Sequence, residues 1–452
     1  MDDKVNLSSL DSYAESCQQI ADKHFAGLSL EDVAEKADDY NAYPNLEQLS
    51  APRNLTVLEN RINEHTRDQA RRAILDGLIF WEHTAAGEAT RLKLGPKYLI
   101  HPHRVHLGYD YLADGLREPA QFAGDDAADW MRFQGILQQP QKLLPLTLGA
   151  RHMCQWAFEV HKLAAEYGLS PAEVMQRQKT LLIVNEQSRA DICGHILKLK
   201  FLGLDPENFL FMVQPSFWGL SPAGGGGGWR YDESTARRLH NHGQMAMQKT
   251  MDRQIFHLDP AGDYHYLSQD DFFHRLDSSA DLVSYNIEDL GYLTKALDFD
   301  TTGLALTLGE EGYGMSMEIV ANNPEHPIKG GLCAYDSKLG RDVVVESFRL
   351  RGLPLERISH LNKNFNHYPS PAKVFKRLHQ EGLFMPIDIK DRGLYFQPVQ
   401  GDMNFLVKTA FISRRCPAPI KSWKSPGDTP AALEAMSVQD VQPGFADFIK
   451  QL

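Results

Sequence analysis

Hydrophobic and polar positions follow two different patterns along the chain, and the change between them divides it into regions. Up to about residue 76, apolar residues recur every three and four positions, which predicts amphipathic helices. From Leu78 onward, short apolar runs alternate with longer helical patterns, and the runs beginning at Leu78, Thr180 and Asn208 are typical of buried strands. This alternation predicts an α/β protein with a doubly wound, mostly parallel Rossmann-like sheet.

The same pattern suggests a division into three segments. We expect a helical N-terminal region over residues 1–76, a catalytic domain over residues 77–370 and a small C-terminal subdomain over residues 371–452. Five consecutive glycines, Gly224–Gly228, predict a flexible connector, with a mobile lid as the alternative.

Composition and charge narrow the class of protein. The 452 residues carry a net charge of -12, which argues against a nucleic-acid-binding protein because that task needs a basic surface. The chain has no apolar run of membrane-spanning length, its N-terminus is acidic and polar, and its five cysteines are widely spaced. We therefore expect a cytoplasmic protein with no membrane or nucleic-acid partner; the sequence does not indicate its oligomeric state.

The stretch from Leu78 to Leu99 carries the first candidate chemistry. Its strand runs into small residues, Thr84–Ala89, whose backbone N–H groups would suit a phosphate. Arg91 and Lys97 add two positive charges, which would suit a triphosphate. The plainer alternative is an ordinary strand-to-helix turn with two surface cations. His101, His103 and His106 lie close in sequence, but a nearby proline and the lack of a carboxylate companion disfavour a metal site.

The order of residues in this stretch resembles a known signature. Gly87, Thr90, Arg91, Pro96 and Lys97 are similar to the Gly-Gly-x-Gly-Thr-Arg loop and following Pro-Lys of sugar-nucleotide pyrophosphorylases. Ala86 and Ala89 stand where that family usually has glycine. Further blocks agree in order: VNEQSRADICGHILKLKFLGLDPENFLFMVQ, ending in Gln214; IFHLDPAGDYHYL; NIEDL; VVVESF; NKNFNHY; and CPAPIKSWKSPGDTP. Over residues 70 to 435, the chain resembles a divergent UDP-N-acetylglucosamine pyrophosphorylase or UTP–glucose-1-phosphate uridylyltransferase.

The resemblance implies a role for particular residues of this chain. The implied phosphate-neutralising, catalytic residues are Arg91, Lys97 and Lys421. The implied nucleotide contacts are Ala85, Ala86, Gly87, Thr90, Gln214 and Gly262, with the Gln214 amide on the uracil edge. The implied sugar contacts are Asp263, Glu346 and Asn364, with Asn362 as an alternative to Asn364. Mg²⁺ would be held by Glu288 or Asp289.

The activity that the resemblance implies is transfer of a uridylyl group. UTP and a sugar 1-phosphate, of the N-acetylglucosamine or glucose type, would give a UDP-sugar and pyrophosphate. A catalytically silent UDP-sugar-binding homologue with a regulatory role is the alternative, motivated by Ala86, Ala89 and Glu288. A dinucleotide-binding oxidoreductase is disfavoured, because no G-x-G-x-x-G motif follows a predicted strand.

Overall fold

The computed structural model of the chain describes residues 4–87, 92, 94–103, 142–224, 227–287, 289–322, 330–353, 359–416, 422–424 and 426–452. Its helices are α1 Leu10–Phe25, α2 Leu30–Asn41, α3 Glu64–Leu75, α4 Leu148–Glu166, α5 Pro171–Arg177, α6 Arg189–Lys198, α7 Asn241–Gln248, α8 Gln269–Asp277, α9 Phe299–Glu310, α10 Pro371–Glu381, α11 Thr429–Asp440 and α12 Phe445–Gln451. Among these described residues, none of the helices has the length and apolar character needed to cross a membrane.

The strands alternate with these helices through most of the chain. They are β1 Leu49–Ser50, β2 Thr56–Val57, β3 Ile79–Thr84, β4 Lys179–Asn185, β5 Phe209–Gln214, β6 Leu220–Ala223, β7 Gly227–Tyr231, β8 Ile255–Leu258, β9 Tyr264–Tyr266, β10 Asp281–Asn286, β11 Met315–Ala321, β12 Gly331–Asp336, β13 Arg341–Glu346, β14 His360–Pro369, β15 Ile387–Lys390, β16 Gly393–Phe396 and β17 Thr409–Ser413.

A large sheet forms the centre of the molecule, and its middle strands are parallel. In the described part of the chain it has 13 strands, and its main path runs β2-β17-β11-β14-β10-β3-β4-β5-β8-β9. The neighbours β10, β3, β4 and β5 run parallel, whereas β14 and β8 flank them antiparallel. The α/β class with a parallel centre is therefore confirmed. The carboxyl ends of these four strands meet at one edge of the sheet, where ligands bind in open α/β folds.

Both faces of this sheet are buried, which explains the continuous apolar runs in the sequence. Phe80 and Leu282 pack into one core cluster, and their chain neighbours Trp81 and Val283 pack into another. Because side chains alternate across a strand, each strand contributes to both clusters. A parallel sheet covered on two faces requires such uninterrupted hydrophobic strands.

A smaller sheet of four strands, in the order β15-β16-β6-β7, packs beside the large one. The glycine run begins directly after β6 and continues into the first two residues of β7, and these strands pair antiparallel, with Pro222 opposite Trp229. The run therefore connects two strands of a hairpin, and its predicted flexibility and the alternative of a mobile lid stay predictions. Residues 225 and 226 lie outside the described residues.

The large sheet draws strands from all three sequence segments. The N-terminal strand β2 pairs with the C-terminal strand β17, with Thr56 opposite Ile412, and β1 pairs with β12. The helices α1 and α2 contribute to the same core cluster as Phe80, through residues such as Tyr13 and Val33. The chain termini thus contribute directly to the elements that carry the candidate site.

Candidate active site

The loop after β3 is fixed to the end of the neighbouring strand. The backbone N–H of Ala85 donates to the carbonyl of Ile183 at 2.7 Å, and Asn185 Nδ2 donates to the carbonyl of Ala86 at 3.0 Å. Ala85 and Ala86 are buried, whereas Gly87 is exposed. The small residues expected to form a phosphate loop therefore lie at the carboxyl edge of the parallel strands.

The orientation of one peptide unit in this loop follows from these contacts. In a trans peptide, the C=O and the next N–H point in opposite directions, and the described chain has no cis peptide bond. Because the Ala86 carbonyl points at Asn185, the Gly87 N–H points away from Asn185. Ala86 is not among the non-glycine residues with positive φ, so its Cβ causes no left-handed strain here. Ala86, one of the two alanines that depart from the family pattern, is thus sterically tolerated.

Lys97 lies beside this loop. Its backbone N–H donates to the carbonyl of Gly87 at 3.0 Å, and it opens the short helical turn Lys97–Leu99 after Pro96. A Cβ placed on Gly87 would lie 3.6 Å from Lys97 Cδ, so the aliphatic stem of the lysine runs along the glycine. Lys97 is only 8% exposed. The structure therefore brings Lys97 to the predicted loop, and its role there stays a prediction.

Gln214 ends β5 at the same edge, directly opposite Asn185. Its Nε2 donates to the carbonyl of Asn241 at 3.0 Å and to Gln244 Oε1 at 3.3 Å. Both partners belong to the first turn of α7, which the sequence interpretation did not connect with the site. Gly243 of the same turn marks a separate close approach, to Pro398, because a Cβ there would lie 2.4 Å from the backbone carbonyl carbon of that residue.

Gly262 and Asp263 lie elsewhere, which corrects the prediction that Gly262 contacts the nucleotide beside Gln214 and that Asp263 contacts the sugar. β8 runs antiparallel to β5, with Leu210 opposite His257 and Met212 opposite Ile255. The turn after Leu258 therefore lies beyond Phe209, at the amino end of β5, and five residues of strand separate it from Gln214, roughly 16 Å. Gly262 has a φ of +93° and faces Leu197, near the end of α6. Their motif match reflects the local turn and not the carboxyl edge of the sheet.

Asp289 follows β10 at the carboxyl edge and pairs in an isolated bridge with Ser422, the residue after Lys421. Asp289 Oδ1 accepts a hydrogen bond from the Gly291 N–H at 2.9 Å. The side chain borders a cavity of about 550 Å³ that Lys363 and Arg414 also line. The structure thus brings the predicted metal-binding segment next to the predicted C-terminal phosphate segment.

The wall of this cavity is a network of ion pairs. Arg414 donates to Asp298 at 2.6 Å and to Glu318 at 3.0 Å, and Lys363 pairs with Glu318 at 3.3 Å. Burial raises the pKa of Asp298, but the charges of Arg414 and Lys295 outweigh it and lower the pKa to about 2. Asp298 and Glu318 are therefore paired with cations, and Asp289 is the acid of this wall that belongs to a predicted metal-binding motif.

Asp289 is the described carboxylate on which the magnesium prediction depends. Among the described residues, no group of three or more His, Cys, Asp or Glu side chains is arranged to hold a metal. Mg²⁺ is commonly bound through one or two carboxylates plus substrate phosphates, and Asp289 offers one hard oxygen ligand of this kind. His101 and His103, whose ring centroids are 5.5 Å apart, stay outside such a group, and His106 lies outside the described residues.

Glu346 ends β13 in a half-buried position. A Cβ on Gly331 would lie 3.2 Å from Glu346 Oε1 and 3.5 Å from Asn362 Cβ, so both side chains border this glycine. Burial raises the pKa of Glu346 to about 7, and the nearby charge of Asp402 adds to the shift while Arg349 opposes it. A carboxyl that is partly protonated at neutral pH can both donate to and accept from sugar hydroxyls.

Thr90, Arg91, Glu288 and Lys421 lie outside the described residues, and Asn364 lies within β14 without a described side chain. Their assigned roles stay predictions.

The chain resembles known proteins in its structure. No family model matches the chain, and no curated protein matches it in sequence. Solved structures do match. The uridine diphosphate N-acetylglucosamine pyrophosphorylase of Trypanosoma brucei, in complex with an inhibitor, is 14% identical with a TM-score of 0.57, covering 95% of this chain and 80% of that one. A mutant UDP-glucose pyrophosphorylase of Leishmania major, in complex with UDP-glucose, is 12% identical with a TM-score of 0.55, covering 93% and 74%.

At this level of identity the matches establish a shared architecture over nearly the whole chain. They agree with the motif resemblance, which rests on the residues alone. The chain therefore has the fold of the UDP-sugar pyrophosphorylases, the family that its motifs resemble, and diverges strongly from these members in sequence.

Proposed function

We propose that the protein is a uridylyltransferase that forms a UDP-sugar and pyrophosphate from UTP and a sugar 1-phosphate. One observation carries the proposal: motif segments far apart in sequence meet at one edge of the sheet. These are the loop Ala85–Gly87 with Lys97, the strand end at Gln214, and the contact between Asp289 and Ser422. The shared fold with UDP-sugar pyrophosphorylases supports the same reading.

The reaction would be an in-line displacement at phosphorus. A phosphate oxygen of the sugar 1-phosphate attacks the α-phosphorus of UTP and forms a new P–O bond. The bond between the α-phosphorus and the bridging oxygen breaks, and pyrophosphate leaves with that oxygen. Because little covalent chemistry falls to the protein, its contribution is positioning and charge neutralisation.

Residues of this chain would supply these two contributions. The Gly87 N–H, turned away from Asn185, would donate to a phosphate oxygen, and Arg91, Lys97 and Lys421 would neutralise phosphate charge. Gln214 would contact the base. Glu346 and Asn364, or Asn362 in its place, would bind sugar hydroxyls. Asp289 or Glu288 would hold Mg²⁺, which would supply charge stabilisation at the phosphates.

The decisive experiment is a pyrophosphate-release assay. The purified protein is incubated with UTP, Mg²⁺ and each of several sugar 1-phosphates, including glucose 1-phosphate and N-acetylglucosamine 1-phosphate. We expect release that depends on both substrates, and formation of UTP when a UDP-sugar and pyrophosphate are supplied instead. Omitting the sugar 1-phosphate controls for plain hydrolysis of UTP. Absence of turnover with every sugar, in either direction, would contradict the proposal.

A second candidate is a silent UDP-sugar-binding protein with a regulatory role. The observation that favours it is the burial of Lys97, since a lysine only 8% exposed has restricted access to a phosphate chain. This candidate predicts binding of UDP-sugars measurable by calorimetry together with no pyrophosphate release. The assay above and a UDP-sugar titration on the same preparation separate the two functions.

A further inference from the structure

A buried chain of hydrogen bonds connects the N-terminal helix α1 with Gln214. Tyr13 Oη lies 2.9 Å from His240 Nδ1, the backbone N–H of His240 donates to Gln244 Oε1 at 2.9 Å, and Gln214 Nε2 donates to that same oxygen at 3.3 Å. We call these four residues the Tyr13 relay. Each is at most 2% exposed.

Backbone groups in the relay fix the orientation of both amides. The His240 N–H can only donate, so the Gln244 atom that it meets must be Oε1. Gln244 Nε2 then donates to the carbonyl of Pro215 at 3.1 Å, which can only accept. Flipping Gln244 would place a donor against a donor and an acceptor against an acceptor.

The same reasoning fixes Gln214. Its Nε2 faces Gln244 Oε1 and the carbonyl of Asn241, which are both acceptors, so both amide hydrogens are used within the protein. The atom of Gln214 that can serve a ligand is therefore Oε1, an acceptor. A base at this position must offer a hydrogen-bond donor, as the N3–H of uracil does.

Packing holds the start of the relay in place. The rings of His240 and Phe217 stack with centroids 4.4 Å apart, and Tyr13 contacts the same Phe217 ring at 5.6 Å. Burial lowers the pKa of His240 to about 3, so the ring is neutral throughout the physiological pH range. The contact between α1 and the first turn of α7 is thus a neutral hydrogen bond in an aromatic environment, which specifies geometry.

We propose that α1 is part of the nucleotide site. Tyr13 is a positioning residue that holds the His240 ring, and with it the His240 backbone N–H that orients Gln244, so that Gln214 Oε1 is presented to a donor on the base. The proposal rests on the proposed function for the identity of the base. Tyr13 itself does not touch the nucleotide. Its removal should alter recognition of the base and leave the phosphate chemistry intact.

The test compares UTP with N3-methyl-UTP, which lacks the donor at N3. Affinities of both are measured by calorimetry for the wild type and for Tyr13→Phe, and kcat is measured at saturating UTP. We expect the wild type to prefer UTP at least tenfold. Tyr13→Phe should weaken UTP binding about 3–10-fold, the effect of losing one hydrogen bond, with N3-methyl-UTP binding and kcat nearly unchanged.

Tyr43→Phe is the matched control. Tyr43 also lies in the N-terminal region, is 5% exposed and donates through its hydroxyl, to Asp336 Oδ2 at 2.6 Å, but lies outside the relay. It should lose stability comparable to Tyr13→Phe without any change in the ratio of the two affinities. If Tyr13→Phe does not fold, Gln244→Met, which removes the shared acceptor, provides the same comparison.

The outcomes of this test distinguish a failure of the Tyr13 relay from a failure of the proposed function. An unchanged affinity ratio in a folded Tyr13→Phe variant, while the wild type prefers UTP, overturns the relay and leaves the uridylyltransferase proposal standing. A wild type that binds both nucleotides equally overturns the orientation of Gln214. A wild type that binds neither nucleotide overturns the proposed function together with the inference built on it.

Discussion

Gln214 is the residue that would contact the base. Because it is buried, its removal should cost measurable binding free energy. We predict that the wild type binds UTP in preference to ATP and GTP. Gln214→Ala should weaken UTP binding by about 1–3 kcal/mol, because base groups that pair with the amide would be left without a partner. Calorimetric titration with all four nucleoside triphosphates measures this. Equal binding of all four by the wild type would sink the assignment.

Substitution of Lys97 distinguishes the two candidate functions, an active uridylyltransferase and a catalytically silent UDP-sugar-binding protein. If pyrophosphate leaves beside it, Lys97 meets charge that shifts in the transition state. We predict that Lys97→Ala lowers kcat by about 10²–10³-fold, as for loss of one preorganised electrostatic donor. UDP-sugar affinity should change much less, since that product lacks the leaving group.

The control for Lys97 is an exposed lysine at the end of α6. Lys198→Ala should leave kcat and UDP-sugar affinity at their wild-type values. Because Lys97 is nearly buried, the melting temperature of each variant must be compared as well. A folded Lys97→Ala protein with wild-type kcat would remove this lysine from the site.

At the scale of elements, the sequence indicated where strands lie but not the direction in which each one pairs. The apolar runs at Thr180 and Asn208 correspond to β4 and β5, and their parallel order followed from the helix between them. For β8 the short run IFHL carried no sign of direction. Its antiparallel pairing with β5 moves Gly262 and Asp263 to the far edge, whereas a parallel strand would have left them near Gln214.

The segment between β10 and Leu290 carries the metal prediction. We expect turnover to require Mg²⁺, and one of Glu288 and Asp289 to matter far more than the other. Adjacent residues at a strand end point in different directions, so one carboxylate faces the ligand. Asp289 is held by its bridge to Ser422 and by the Gly291 N–H.

Activity titrated against Mg²⁺ for Glu288→Ala and Asp289→Ala checks this. The variant lacking the ligand should need a higher Mg²⁺ concentration and show lower activity at saturation. Glu310→Ala, which removes an exposed acid at the end of α9, should behave as wild type. Full activity in EDTA, or two equally mild variants, would count against a metal site in this segment.

At the scale of the whole molecule, long-range contacts bring together residues whose proximity no local sequence pattern predicts. The small residues at 85–87, Pro96–Lys97 and the strand end at Gln214 have local signatures, so the sequence located them. The Tyr13 relay joins residues more than 200 positions apart, through an aromatic core that leaves no periodic trace. Likewise, the pairing of β2 with β17 unites the two ends of the chain in one sheet, although neither strand is long enough to be recognised alone.

Glu346 links the candidate site to the stability of the whole molecule. Its pKa is about 7 in the folded protein, through burial and the charge of Asp402, whereas an unfolded chain has an ordinary glutamate near 4.3. Between these values the folded state binds more protons than the unfolded state, so the free energy of unfolding falls as pH rises from about 4.3 to about 7. Glu346→Gln stays neutral and escapes this loss. We predict that urea unfolding shows the variant about 1–3 kcal/mol more stable than wild type at pH 8.5 and equal to it near pH 4.5.

The control and the functional readout make this prediction specific. Glu310→Gln, at an exposed position, should follow the wild-type pH profile. If Glu346 contacts the sugar, the more stable Glu346→Gln protein should also bind sugar 1-phosphate more weakly, because amide and carboxylate differ in what they can accept. A destabilised variant at pH 8.5 would mean that a cation outweighs burial at this carboxylate, with Arg349 as the candidate, since its charge already opposes the shift. A stabilised variant with unchanged sugar affinity would keep the electrostatics and remove Glu346 from the sugar site. If Glu346→Gln is more stable than the wild type and also binds sugar 1-phosphate more weakly, Glu346 is a half-buried acid that serves function at a cost in stability.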